Sequence, residues 1–413
     1  MKSVPELALH LKSTLNVKQL LESGLKDCLG DFVPSKVLSI GKAGCDLAVG
    51  VKSLFPNCSG LIVTKYGHGF PINDFDLIEA NHPVPDENSV IAAKATFDFV
   101  KNVDEPLLVL ISGGGSALLC APIEGITLQD KIEITTSLLR SGATIDEINV
   151  VRKSISQIKA GGLTTKLNKL ALDQVRVGVI SDVVGNDLST ISSGPFFGPS
   201  PCVSKAIDVL KNYGIKLSPF VEKALKNKNN NDFCGNPDHF ILSDVNQAVG
   251  LARNFLGNSG YEVFTYPKPL NGLLQNNVRT MLDWVDYKPC TAWISGGECT
   301  VEVSGNGVGG RNQQWAIEAA IALVEKGFSD FEAFSYATDG NDGPTDSAGG
   351  WVCSNWLVEN IDQARDAVES NNAYPFLKKF NAHLMTGPTG TNINDVRGIL
   401  FRPQTIQNQM PEV

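Results

Sequence analysis

Apolar residues in this chain come in short unbroken runs that stop at glycine, aspartate or a hydroxyl residue. The clearest run, Leu107–Ile111, passes straight into Ser112, Gly113, Gly114, Gly115 and Ser116. Such a run reads as a strand buried on both faces, as in a parallel sheet, and the glycines as the loop at its carboxyl end. Similar runs predict strands at 36–40, 60–65, 77–80 and 175–180. Between them, apolar positions at helical spacing predict helices over 89–100, 130–139 and 145–159, and one amphipathic helix over residues 1–25. Strand and helix alternate, so a parallel sheet with right-handed crossovers is expected.

Residues 226–232 are polar, low in complexity and almost free of apolar side chains, which marks a linker. Beyond it, 240–242, 246–256 and 261–266 read as a β-α-β unit, followed by a helix over 273–285 and a strand over 291–295. Residues 300–304 alternate polar and apolar, as in a half-exposed strand, and a helix is expected over 312–325. Leu384 and Met385 read as the end of a further strand leading into a loop. The pattern therefore predicts two α/β domains. Residues 1–232 would form a Rossmann-like parallel sheet, and 233–413 a mixed sheet with helices.

Composition narrows the class. The 413 residues are 42% hydrophobic and 19% charged, ordinary values for a globular protein. A net charge of −9 argues against a nucleic-acid footprint. No apolar run approaches the roughly 20 residues of a membrane helix, and the first 25 residues lack the features of a signal peptide. The nine cysteines are scattered with no C-x-x-C pair, so reduced thiols in a cytoplasmic protein are expected. The five histidines form no H-E-x-x-H.

Candidate chemistry gathers at predicted strand ends. The three glycines have no Cβ, so amides there can approach a ligand closely, and an anion is the expected guest. Lys42, in the turn after Ile40, is placed to reach a phosphate, though a solvated surface lysine is the alternative. This is not a Walker A loop, because Lys36 stands where the first glycine is required. After the 175–180 run, Asp182, Asn186 and nearby hydroxyl residues suit magnesium or a sugar-like hydroxyl, with a self-satisfied Asx turn as the alternative. In the second half, Glu298 follows the 291–295 strand. Arg311 follows G-N-G-V-G-G and could hold phosphoryl or carboxylate oxygens in a fork. That glycine string matches G-x-G-x-x-G only formally, because the fingerprint follows a buried strand. Asp339, Asp342 and Asp346 lie in the most acidic loop. An EF-hand is excluded there, because a glycine stands at the fifth loop position and no glutamate closes the loop. Residues 386–395, with Asn392, are another anion or hydroxyl site of the same kind. Together these loops describe a phosphoryl-transfer cleft.

Taken in order, GKAG at 41–44, EANHPVPDENS at 79–89, ISGGGSALL at 111–119, NVVRKSISQIKAGGL at 149–163, SDVVGNDLSTISSGP at 181–195, ISGGECTVEVSGNGVGGRNQ at 294–313, ATDGNDGPTDSAG at 337–349 and TGPTGTNINDV at 386–396 resemble the class II glycerate kinases. The resemblance spans nearly the whole chain. It implies an N-terminal α/β domain followed by a MOFRL domain, with the active site in the cleft between them. It also implies phosphorylation of D-glycerate by ATP and Mg²⁺, usually to 2-phosphoglycerate. It assigns catalysis to Lys42 and Arg311, and nucleotide binding to Ser112, Gly113, Gly114, Gly115 and Ser116. Matching motifs add Asp182 as a catalytic carboxylate, Asn186, Glu298 and Asn392 as ligand contacts, and Asp339 and Asp342 as metal ligands. The expected partners are D-glycerate and ATP, with a homodimer admitted and neither nucleic acid nor membrane. Two departures, Gly44-Cys45 and Phe196-Phe197, leave the proposed cations untouched. A nicotinamide-dependent hydroxypyruvate reductase and a non-catalytic sensor of sugar-acid phosphates are the rival readings.

Overall fold

The structure, a computed structural model, describes residues 3–198, 203–227 and 235–403. It divides into two compact units, 17–242 and 1–16 with 243–413. The expected division was 1–232 and 233–413, and the start of the chain shows the main difference. The single helix expected over residues 1–25 is two, α1 (Val4–Thr14) and α2 (Val17–Leu29), and they belong to different units. The Nζ of Lys12 in α1 donates to the Thr386 carbonyl, and Thr391 Oγ1 donates to the Leu15 carbonyl at 2.6 Å. Those bonds tie the first turns of chain to the C-terminal part.

The first unit is built on a six-stranded sheet of order β3-β2-β1-β4-β5-β6. Its strands are β1 (Lys36–Ile40), β2 (Ser59–Lys65), β3 (Phe75–Ala80), β4 (Leu107–Ile111), β5 (Val175–Ile180) and β6 (Asp238–Ser243). β1 to β5 pair in parallel. All five residues of β4 are buried, which is why it carries no polar alternation. α3 (Gly44–Leu54) and α4 (Glu87–Asn102) are crossovers, and α5 (Gly115–Leu118) is a single turn after β4. α6 (Leu128–Arg140) and α7 (Ile145–Ser154) each open on a capping box, Thr127 with Asp130 and Thr144 with Glu147. With α8 (Val203–Asn212) and α9 (Pro219–Asn227) they enclose a small apolar core of their own. Of the expected linker, Lys226 and Asn227 close α9, and 228–232 lie outside the described residues. β6 corrects a second expectation. It is hydrogen-bonded at the edge of this sheet, not part of a unit with the strand that follows it. Phe240 covers Gly178 of β5, where a Cβ would lie 2.7 Å from the ring.

In the second unit, α10 (Val245–Asn258) leads to β7 (Glu262–Thr265). A two-residue ladder joins β8 (Gly272–Leu273) to β10 (Cys299–Thr300), with α11 (Leu274–Trp284) and β9 (Thr291–Gly297) between them in the chain. α12 (Arg311–Glu325), β11 (Phe331–Ala337), β12 (Gly349–Cys353) and β13 (Asp395–Phe401) complete the scaffold. The sheet order is β12-β11-β13-β9-β7, mixed, with only β7 and β9 parallel. Two strand expectations fail here. The strand expected over 300–304 stops at Thr300, and Asn371 Oδ1 instead holds the Ser304 and Gly305 amides at 2.9 Å. The 386–394 loop does not follow a strand but leads into the central strand β13. No helix among the described residues is long and apolar enough to cross a membrane.

Candidate active site

The order in which strands are added to the first sheet reverses between β1 and β4. After β3 the chain returns to the other side of β1, so loops from β1 and β4 leave a crevice at the strands' carboxyl ends. The register aligns these ends, with Ile40 beside Ile111 and Ile111 beside Val179. Gly41-Lys42, the 112–116 loop and Ser181-Asp182 therefore emerge together. The Lys42 amide donates to the Gly113 carbonyl at 3.0 Å. Ser112 is structural, since its Oγ accepts the Ala43 amide at 3.1 Å and so fastens one loop to the other. Gly114 has φ +93°, a left-handed conformation that suits glycine. Among the described residues the amides of Gly113, Gly114, Gly115 and Ser116 have no acceptor in the protein. Four adjacent unsatisfied donors make a cradle for an anion.

Asp182 lies against this cradle: a Cβ on Gly113 would be 2.7 Å from its Oδ2. Burial raises the Asp182 carboxyl above the usual carboxylate range, while its own backbone amide and Lys42 oppose the rise. His82 approaches from the other side, 3.1 Å from where a Gly114 Cβ would stand. Burial, then Lys42 and Lys65, lowers its pKa to about 4, so the imidazole is neutral near pH 7. Asn186 takes a left-handed φ of +56° in the following loop. Asp187 accepts from the Ser189 amide and from the Ser189 and Thr190 hydroxyls, so that stretch is in part the Asx turn considered above.

Four residues not assigned to the site from sequence, Arg152, Lys159, Ser193 and Lys131, lie toward the other end of the loop. Arg152 Nη2 and Lys159 Nζ both donate to Ser116 Oγ at 2.5 Å. Lys159 Nζ also donates to the Ser116 carbonyl at 2.9 Å, and Ser193 Oγ is 3.1 Å from Ser116 Oγ. Lys131 Nζ is 3.1 Å from Cys120 Sγ. Arg152 and Lys159 lie within the 149–163 motif, but nothing local in it reveals their shared target.

The second unit gathers its candidates at one end of its central strands, because β13 runs antiparallel to both neighbours. Asp395 pairs with Gly297 of β9 and with Ala337 of β11. Glu298, Asp339 and the loop before β13 are thereby neighbours in the fold. Arg311, the first residue of α12, is held in a fork: Nε to Asp395 Oδ2 at 2.7 Å and Nη2 to Asp395 Oδ1 at 3.0 Å. Its Nη1 meets Glu298 Oε1 at 2.6 Å. Burial disfavours the charged guanidinium, but Asp395 and then Glu298 more than offset it, and the pKa rises. Three contacts leave two of its five N–H groups for other acceptors. Asp395 was missed as a site residue. Its signal was the aspartate closing T-N-I-N-D, inside the 386–395 stretch but not singled out there from Asn392.

Asp342 departs from its expected role. It is 2% exposed, and its carboxylate accepts the Asn312 and Gln313 amides at 3.0 and 2.9 Å and both side-chain amides at 3.2 and 3.1 Å. It caps α12 and has no oxygen left for a metal ion. Asp339 Oδ1 accepts the Asn341 amide at 3.0 Å, and Asn392 Oδ1 accepts the Asn394 amide at 3.2 Å. Among the described residues no group of three or more His, Cys, Asp or Glu could hold a metal ion.

Residues 7–226 match a domain of unknown function, DUF4147, and residues 291–395 match the MOFRL family. A D-glycerate 2-kinase of Thermotoga maritima is 36% identical over 87% of this chain and 89% of its own. A putative hydroxypyruvate reductase of Agrobacterium vitis is 35% identical over 88% and 86%. The crystal structure of a glycerate kinase from Thermotoga maritima superposes with a TM-score of 0.86 at 34% identity, covering 96% of this chain and 98% of that one. Both domain models in order, and a relative matched over most of both lengths, establish that this chain belongs to the class II glycerate kinase family.

Proposed function

We propose that the protein transfers the γ-phosphoryl group of ATP to D-glycerate, giving 2-phosphoglycerate. The observation that supports it most is the meeting of Lys42, four unsatisfied amides and Asp182 at one switch point of a parallel sheet. The amides and Lys42 suit the phosphates. Asp182, raised by burial, suits the proton released as the glycerate hydroxyl attacks phosphorus in line. Arg311 is the second cation, aimed by Asp395 and Glu298, and its remaining N–H groups neutralise charge spreading over the transferred oxygens. Asn186, Asp339 and Asn392 offer polar contacts to the substrates. Mg²⁺ bound to ATP would screen the phosphate charge, and Asp342, spent on α12, does not fit as its ligand. A nucleotide donor agrees with the expected cytoplasmic location.

The reductase named among the relatives is the second reading. It is disfavoured by residues 305–310, whose glycine string follows no buried strand and so lacks the support of a dinucleotide fingerprint. A coupled assay with ATP, Mg²⁺ and D-glycerate, its product resolved by phosphorus NMR, tests the proposal and separates 2- from 3-phosphoglycerate. No ATP-dependent transfer to D-glycerate, together with NADH oxidation by hydroxypyruvate, overturns it.

A further inference from the structure

Cations taken out of water are normally paired with a carboxylate. Lys131 and Lys159 are 4% and 2% exposed, and Arg152 joins Lys159 on one hydroxyl oxygen. Among the described residues no carboxylate forms an ion pair with any of the three. Burial lowers the pKa of each, and for Lys159 the neighbouring Arg152 and Lys131 lower it further. A second, independent feature sits at the same place. Ser192 Oγ is buried with no hydrogen-bond partner, and a Cβ on Gly115 would lie 2.6 Å from it. Ser192 and Ser193 both take left-handed conformations, φ +48° and +63°, which cost energy in residues with a Cβ. Strain, an orphan hydroxyl and unpaired cations converge on Ser116, and a guest anion would relieve the last two.

We propose that Lys131, Arg152 and Lys159, with Ser116, Ser192 and Ser193, form a subsite for a compact oxyanion, the carboxylate of the acceptor acid. The assignment of the anion to the acceptor rests on the kinase reading above. The loop has two ends with different equipment. Lys42 and Asp182 stand at Gly113, where phosphoryl chemistry is expected, and the cation cluster stands at Ser116. Three Cα steps separate them, at most roughly 11 Å. Phosphorylation of a hydroxy acid needs two anions held that close, the transferred group and the carboxylate. A fixed, nearly dry cluster suits a small carboxylate better than a metal-bound triphosphate, which retains much of its water. The carboxylate would thereby fix which hydroxyl faces the phosphoryl group.

The test is calorimetric titration of the full-length protein with D-glycerate, glycerol, inorganic phosphate and ATP, in the wild type and in Arg152→Met, Lys159→Met and Ser192→Ala. The wild type should bind D-glycerate and not glycerol. Arg152→Met and Lys159→Met should weaken D-glycerate about tenfold or more, leave ATP within about twofold, and unfold no earlier in urea than the wild type, because each removes an uncompensated charge. Ser192→Ala deletes one hydroxyl and should weaken D-glycerate a few fold with folding intact. Unchanged D-glycerate affinity in all three variants overturns the subsite, as does a wild type that ignores D-glycerate. Loss of ATP or phosphate binding in place of D-glycerate assigns the cluster to the nucleotide and overturns the carboxylate. If D-glycerate binds through the cluster yet accepts no phosphoryl group, the kinase reading falls and the subsite stands.

Discussion

Replacing Asp342 by alanine separates a helix cap from a metal ligand. The substitution strands two buried main-chain donors, the amides of Asn312 and Gln313, and two side-chain amides. Each stranded main-chain donor costs about 1–2 kcal/mol. Loss of a negative charge at the start of α12 adds about 1 kcal/mol. Part of this is offset, because burial makes the ionised carboxylate itself costly to hold. With that offset the expected loss is about 2–4 kcal/mol, large for a single substitution. Asp342→Asn keeps one acceptor oxygen but turns a donor toward an amide, so it should cost about half as much. All five tryptophans, residues 284, 293, 315, 351 and 356, lie in the second unit, and Trp315 is fully buried in α12. Urea unfolding followed by tryptophan fluorescence thus reports this unit without assuming that the whole chain unfolds in one step. An unchanged midpoint in Asp342→Ala, combined with a raised Mg²⁺ requirement in turnover, would refute the cap and restore the metal ligand.

Three further outcomes are expected. Arg311→Lys keeps a charge but cannot fork onto Asp395, so turnover should fall about 100-fold or more with near-ultraviolet circular dichroism preserved, and near-normal turnover would remove Arg311 from the chemistry. In a pH–rate profile, kcat/KM should drop on the acid side through a value above the usual carboxylate pKa, because burial raises Asp182; if the residual activity of Asp182→Asn shows the same limb, the base lies elsewhere. His82 is neutral in the fold down to about pH 4 but takes up a proton near 6.5 when unfolded. Its contribution to stability is therefore present above about 6.5 and lost as pH falls toward about 4. Far-ultraviolet dichroism melts should show this acid loss in the wild type and less of it in His82→Gln; equal slopes count against the buried neutral imidazole.

Legibility differed between the two sheets for a physical reason. Parallel strands covered on both faces are unbroken apolar runs, so β1, β4 and β5 stood out in the sequence, and with them Lys42, the glycine loop and Asp182. β13 did not. It is wholly buried yet carries Arg397 near its middle, paired with Asp395, Asn277 and the Gly297 carbonyl. A buried ion pair looks like a surface charge until its partner is known. The cation cluster was hidden for a similar reason, since Arg152 and Lys159 act on a serine 36 and 43 residues away. Asp342 misled because an aspartate that caps a remote helix and one that holds a cation have the same local sequence.

Assigning α1 to the second unit has a consequence for synthesis. The segment that α1 packs against, α10, begins at Val245, roughly 230 residues later. At ~5–20 residues per second, α1 leaves the ribosome roughly 10–50 s before its neighbour exists. In that interval β1 to β5 of the first sheet are made, while an amphipathic helix waits with its apolar face uncovered. A chain started at Val17 would retain every element of the first unit and deprive the second of one wall. Of the described helices, the one made first is therefore among the last to find its place.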